Sequence, residues 1–234
     1  MLVAGAGGIG AACAEAFLHA GARLLVADQN AERLSGFAGT ASTITADLTT
    51  TDGCEQAVRA AQTELGGLDI LVHAVGINNR VPILDTLDED WDRILDVNLS
   101  SAFRLGRAAG RIMVDAGYGR QIYCSSVSSL LAHPDHGPYA ASKGGLNQLV
   151  RVMAREWAAS GVTVNAIAPG YVETALTSAY LDRPGVRELY TGLVPAGRLG
   201  TVDDLTGPVL YLASRQAAFV TGHVLYVDGG RTLV

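Results

Sequence analysis

The chain opens Met1-Leu2-Val3-Ala4-Gly5-Ala6-Gly7-Gly8-Ile9-Gly10, an apolar run that passes into four glycines within six residues and then into a helix-period stretch. Strand, glycine turn and helix in this order form a unit in which backbone N–H groups approach a pyrophosphate. The positive end of the helix dipole faces the same point. A glycine-rich turn without a ligand is the competing reading, and the residues downstream decide between them.

The first of these is Asp28, which closes a second apolar run at about the 20-residue offset where a carboxylate accepts hydrogen bonds from an adenosine ribose. A carboxylate there repels a 2′-phosphate, so NAD is favoured over NADP. Gln29 and Asn30 bring no cation, and Arg33 belongs to the next helix. An ordinary helix N-cap is the alternative role for Asp28.

Working outward, aliphatic and β-branched runs over residues 1–3, 23–27, 42–46, 69–73, 121–124, 163–167 and 223–227 read as strands. Helix-period stretches over 10–20, 31–35, 51–65, 89–116, 139–159 and 202–214 separate them. Strands apolar on both faces and joined by helices predict a doubly wound α/β fold, a Rossmann-type parallel sheet of about seven strands covered on both sides. No repeat or linker-like break interrupts the 234 residues, which predicts one domain over residues 1–234.

Composition narrows the function. Apolar residues make up 49% and charged residues 17%, against a usual charged share of about 25%, which excludes a disordered chain. A net charge of -6 without a basic cluster predicts no nucleic-acid partner. No apolar run approaches the roughly 18 residues that span a bilayer, which predicts no membrane segment and a cytoplasmic enzyme. Cys13, Cys54 and Cys124 lack disulfide or zinc spacing and read as small apolar residues.

Tyr139 and Lys143 stand four apart at the start of a helix, so both heads serve one face. Ser126 follows the strand over 121–124 and lies on the carboxyl edge of the sheet, where such folds bind ligands. A phenol titrates near 10, and a neighbouring ammonium favours its ionised form. Lys143 offers that ammonium.

With these residues in view the chain resembles the classical short-chain dehydrogenases/reductases along its whole length. The resemblance rests on Tyr139-Ala140-Ala141-Ser142-Lys143, Ser126 thirteen residues earlier, Asn98 in Val97-Asn98-Leu99, and Asp47-Leu48. Pro169-Gly170 followed by Thr174, Thr221-Gly222-His223 and Val227-Asp228-Gly229-Gly230 complete it. It implies an NAD(H)-dependent interconversion of a secondary alcohol and a ketone. Tyr139 would be the general acid/base, Ser126 the hydrogen-bond partner of the reacting oxygen, and Lys143 the ligand of the nicotinamide ribose that lowers the tyrosine pKa. Asn98 would hold a water of the proton relay. The resemblance further implies cofactor contacts at Gly5, Gly7, Gly8, Ile9, Gly10 and Asp28. Asp47 and Leu48 would flank the adenine, and His73, Ala74 and Gly76 would lie under the ribose and diphosphate. Pro169 and Gly170 would contact the cofactor, and Val172 and Thr174 would hold its carboxamide. A homotetramer or homodimer through the two long helices and the last strand is also implied.

Three departures shape the remaining expectations. Two glycine-loop registers are open, with either Ala4 or Gly5 in the place of the family's first glycine, and Gly8, Ile9 and Gly10 are common to both. The chain begins at its first strand where the family has preceding residues, so the start is expected to be trimmed or to lie upstream. His73 replaces a residue that is more often Asn and is expected to pack at the strand end. His133, Asp135 and His136 read as a polar pocket wall rather than a metal site. With Asn78, Asn79 and Arg80 they point to a small hydroxylated substrate, a sugar, polyol or sugar acid. Residues 171–194 are expected to form the lid. A 3-oxoacyl-thioester reductase is the alternative activity, and a non-catalytic nucleotide-binding protein the alternative class.

Overall fold

The computed structural model describes residues 1–174 and 177–234. In chain order the regular elements are β1 (Leu2–Ala4), α1 (Gly8–His19), β2 (Leu25–Asp28), α2 (Ala31–Ser35), β3 (Ser42–Thr45), α3 (Thr51–Leu65) and β4 (Ile70–His73). Then come α4 (Asp88–Leu95), α5 (Ser101–Ala116), β5 (Gly119–Cys124), α6 (Gly137–Trp157) and β6 (Val162–Pro169). α7 (Ser178–Leu181), α8 (Val186–Gly192), α9 (Asp203–Ala213) and β7 (Val224–Val227) complete the series. The seven strands pair in parallel in the order β3-β2-β1-β4-β5-β6-β7. The direction of winding reverses between β1 and β4, and a ligand cleft opens at such a point on the carboxyl edge.

The residues account for this layering. Leu2 and Ala4 belong to a core with α3, α5 and α6, whereas Val3 between them belongs to a second core with α1, α2 and α9. β2 repeats the division, with Leu25 and Ala27 on the first side and Val26 on the second. β1 and the start of β2 are therefore apolar at consecutive positions, and each fully buried Leu or Val side chain contributes about 1.5–3 kcal/mol of transfer free energy. Cys13 and Cys54 are free and buried, and burial pushes their thiols up to about 12 and about 11. Among the described residues no helix is long and apolar enough to cross a membrane.

Two elements differ from the sequence expectation. The helix expected over 89–116 is broken by a π turn, Asp96–Ser100, which carries Asn98. Such a turn shifts the helical register by one residue and is frequent at functional sites. The expected lid contains α7 and α8, two short helices without a long apolar stripe to announce them, and its residues 175–176 lie outside the described residues.

His73 ends β4 and is fully buried. Ser101 Oγ donates to Val97 O, so it accepts from His73 Nε2–H at 2.9 Å, and Nδ1 is left buried without a partner. Burial, reinforced by the Lys143 charge, lowers the imidazole from 6.5 to about 3. The unfolded chain thus binds a proton below pH 6.5 that the folded chain refuses until about 3, and stability falls as pH drops through that window. The same sign applies to His133 and His136, whose pKa values are also lowered. Replacing His73 by Asn is expected to reduce the loss of unfolding free energy between pH 7 and pH 5 by about 2 kcal/mol, read from urea melts. An unchanged pH dependence would show that His73 is protonated in the fold.

Candidate active site

One cleft of about 640 Å³ runs along the carboxyl edge and collects most of the residues singled out above. At its floor Ala4 keeps its pairing with Ala27 and His73, and Gly5 is the first residue to leave the sheet. Gly5 has φ +96° and donates its N–H to Ala27 O at 2.8 Å, a conformation that favours glycine. A Cβ on Gly10 would overlap Gly5 O, so α1 rests directly on the turn. The loop therefore starts at Gly5 with Ala4 still in the strand, which is the shorter of the two registers. Gly7 caps α1 without a side chain, and Gly8 and Ile9 line the cleft at the positive end of the helix. The glycines bring no side chain of their own to this terminus, which leaves its backbone N–H groups suited to an anion.

Asp28 closes β2 and is buried. Its Oδ2 accepts from Ala6 N at 2.7 Å and its Oδ1 from Asn30 N at 2.8 Å, so it braces the glycine loop as well as facing the cleft. A cation is close after all. Arg33 Nη1 lies 3.9 Å from Asp28 Oδ2 and alongside Gly7, because the short turn into α2 folds Arg33 back over the loop. The expectation that no cation stands beside Asp28 is thereby corrected. Asp47 and Leu48 line the next wall. Hydrogen bonds from the Thr49 hydroxyl and N–H hold the Asp47 carboxyl below its usual range. Arg104, from α5, donates to Thr49 O at 2.5 Å and to Asp96 at 2.7 Å.

Ala74 and Gly76 line the middle of the cleft, whereas the side chains of His73 and Asn98 are buried outside it and Gly10 packs below it. The amide of Asn98 is committed. Its Oδ1 accepts from Ile77 N at 2.8 Å, and its Nδ2 donates to Ile77 O at 2.9 Å and to Ser142 Oγ at 3.1 Å. Asn98 thus grips the backbone beyond β4, and one lone pair on Oδ1 is what it retains for a water.

Tyr139, Lys143 and Ser126 come together as the spacing predicts. Lys143 Nζ donates to Cys124 O at 2.7 Å and lies 5.7 Å from the centre of the Tyr139 ring. Burial pushes the Tyr139 phenol up to about 12, with the Cys124 thiol adding to the rise. The Ser126 hydroxyl and the charge of Arg80 act against it, whereas Lys143 is turned to Cys124 and is itself lowered by burial. The phenol is therefore a proton donor at neutral pH.

Pro169, Gly170, Val172 and Thr174 line the far wall, with the Thr174 side chain in contact distance of Gly8. His133 accepts or donates between Ser128 Oγ at 2.9 Å and Tyr171 Oη at 3.1 Å, and His136 Nδ1 pairs with Pro134 O at 2.7 Å. Both rings face the cleft, while Asp135 does not line it. Arg80 stacks on Tyr180, 3.3 Å from the ring centre, with one Nη buried and unpartnered. Arg183 approaches the same ring at 5.1 Å. Neither arginine makes an ion pair among the described residues.

The sequence reading passed over Arg104, which leaves no motif, and Asn147, whose polar side chain at the third position of the Tyr139–Lys143 face was a visible signal.

A family model described as "Enoyl-(Acyl carrier protein) reductase" matches residues 3–232. The chain is 37% identical over 240 residues to the gluconate 5-dehydrogenase of Gluconobacter oxydans (strain 621H), covering 99% of this chain and 94% of that protein. It is 37% identical to the 3-oxoacyl-[acyl-carrier-protein] reductase of Escherichia coli (strain K12), covering 100% and 97%. The solved structure of a gluconate 5-dehydrogenase from Burkholderia cenocepacia J2315, in complex with NADP and tartrate, has a TM-score of 0.94 at 35% identity and covers 100% of this chain and 94% of that one. The chain thus belongs to the short-chain dehydrogenase/reductase family, oxidoreductases that act on CH–OH groups.

Proposed function

We propose that this protein interconverts a secondary alcohol and a ketone on a small polyhydroxylated acid, with NAD(H) as cofactor. The observation that carries the substrate reading is Arg80. The half-buried Arg80, whose Nη1 is buried without a partner, faces a cleft end lined by two histidines and four tyrosines and, among the described residues, no carboxylate. A buried N–H donor without an acceptor is costly, and the carboxylate of an anionic substrate supplies that acceptor. Asn78, with a buried Oδ1 that has no partner, and His136 supply hydrogen bonds for hydroxyl groups. The similarity to gluconate 5-dehydrogenase agrees with this reading. Equal identity to a 3-oxoacyl-[acyl-carrier-protein] reductase keeps an acyl thioester as the second reading.

The glycine turn, the bare α1 terminus and Asp28 fit a dinucleotide. Bound nicotinamide supplies or takes the hydride. In ketone reduction Tyr139 Oη donates its proton to the substrate oxygen. Ser126 Oγ, already accepting from Ser128 N at 3.1 Å, keeps its own hydrogen to donate to that oxygen. Lys143, whose Nζ donates to Cys124 O, would hold the ribose hydroxyls of the bound dinucleotide. In the reverse direction Tyr139 must first lose its proton, so alcohol oxidation rises with pH above neutrality.

Asp28 supports NAD, and Arg33 tempers that preference. Fluorescence titration is expected to give tighter binding of NADH than of NADPH, and Arg33→Ala is expected to widen the gap. Equal or reversed affinities in the unaltered protein would overturn the NAD assignment. Tyr139→Phe should bind NADH unchanged while losing turnover.

Substrate class is tested by assaying D-gluconate, D-glucitol and a 3-oxoacyl thioester in parallel. Gluconate is expected to be preferred, and Arg80→Gln to raise its KM about tenfold to a hundredfold, the loss of one charged hydrogen bond. Preference for glucitol or for the thioester would remove the acid reading.

Phe103 on α5 and Val152 on α6 are 43% and 46% exposed, and Phe219, Leu233 and Val234 are exposed at the β7 side. These apolar positions support a homotetramer or homodimer. Sedimentation velocity is expected to show it, and a stable monomer at micromolar concentration would refute it.

A further inference from the structure

Tyr139, Lys143 and Asn147 stand at i, i+4 and i+8 on α6, so all three share one face. Asn147 is buried, at 4% exposure, among the aliphatic side chains of that helix. Nothing in the sugar or cofactor chemistry described above uses it.

Its two amide ends close a directional chain of hydrogen bonds. Ser125 Oγ donates to Asn147 Oδ1 at 2.6 Å, Asn147 Nδ2 donates to Ser129 Oγ at 2.7 Å, and Ser129 Oγ donates to Ser126 O at 2.6 Å. Ser125 N is tied to Ile167 O of β6 at 2.8 Å. The peptide of Ser126 is thereby fixed from both sides, by its predecessor and through its own carbonyl. An amide is suited to this place because it accepts at one end and donates at the other. A leucine would do neither, leaving a buried serine hydroxyl without a partner.

We propose that Asn147 is a positioning residue that sets where Ser126 Oγ stands relative to Tyr139. The same helix carries the phenol, the ammonium and, one turn further on, the amide strut that holds the loop bearing Ser126. Any rotation of α6 then moves Tyr139 and Ser126 together. The inference rests on the proposed roles of Ser126 and Tyr139, and not on which ketone is the substrate.

The test is a double-mutant cycle on NADH-driven ketone reduction with three probes: 5-keto-D-gluconate, D-fructose and acetoacetyl-N-acetylcysteamine. Asn147→Leu is expected to lower kcat about tenfold with NADH affinity and ketone KM within about twofold. In a Ser126→Ala background, read in single turnovers at high enzyme concentration, the same substitution is expected to change the rate less than about twofold. The hydroxyl it positions is already gone. A repeat of the tenfold loss in that background, or an unchanged kcat in Asn147→Leu alone, would overturn the proposal. If Asn147→Leu fails to fold, Ser129→Ala cuts the same strut where the side chain is less buried. A loss of about threefold alone and none beyond Ser126→Ala is then expected, and a loss that repeats in both backgrounds overturns the inference. Coupling seen only with the thioester supports the strut and removes the sugar-acid reading. Additive losses on 5-keto-D-gluconate do the reverse, and a chain that reduces none of the three overturns both.

Discussion

The grip of the Asn98 amide on the Ile77 peptide is the contact on which the architecture of the cleft depends. Both backbone groups of Ile77 are held, at 2.8 and 2.9 Å, by a side chain that a π turn rotates inward between α4 and α5. Without that turn the helix would continue in register and aim the amide elsewhere. The third bond of the same amide reaches Ser142, next to Lys143, so one buried side chain joins the end of β4 to α6. Arg104 extends the connection through Asp96 to the Asp47–Thr49 loop. The middle of the cleft and its Asp47–Thr49 wall therefore hang from one pair of helices.

Charge is divided along the cleft. Asp28 and Asp47 mark one end, with Arg33 beside the first, whereas the other end carries Arg80 and Arg183 among neutral histidines. Burial keeps His133 and His136 uncharged near pH 7, the first with a pKa of about 4. The charge of Arg80 is felt at Tyr139, where it acts against the rise that burial imposes on the phenol. The Arg80–Tyr180 stack also ties this end to α7, so the group proposed to meet the substrate packs on that helix.

Much of this was legible in residue order. All seven strands fall within two residues of their expected bounds, and β1, β2, β4 and β6 were the plainest because strands buried on both faces carry consecutive apolar residues. Helix spacing puts Tyr139 and Lys143 on one face, whereas Ser126 stands out from the neighbouring serines only through the thirteen-residue spacing to Tyr139 that the family resemblance supplies. The π turn was not legible, since residues 89–116 keep a helical period throughout and the extra residue is absorbed by backbone geometry. Arg33 was judged too far in sequence to matter, and only the fold of the β2–α2 turn brings it back to Asp28.

The sequence by itself determined the sheet, the glycine turn and the family of the chain, because each rests on local conformation and on periodic burial that neighbouring residues specify. The tertiary structure alone decided the rest. It fixed the loop register at Gly5, turned Lys143 to Cys124 O, left Arg80 without a counter-ion and set Asn147 behind Ser126. Those outcomes depend on which groups meet across elements 19 or more residues apart, and hydrogen bonding and desolvation at such meetings are not written in any one stretch of chain.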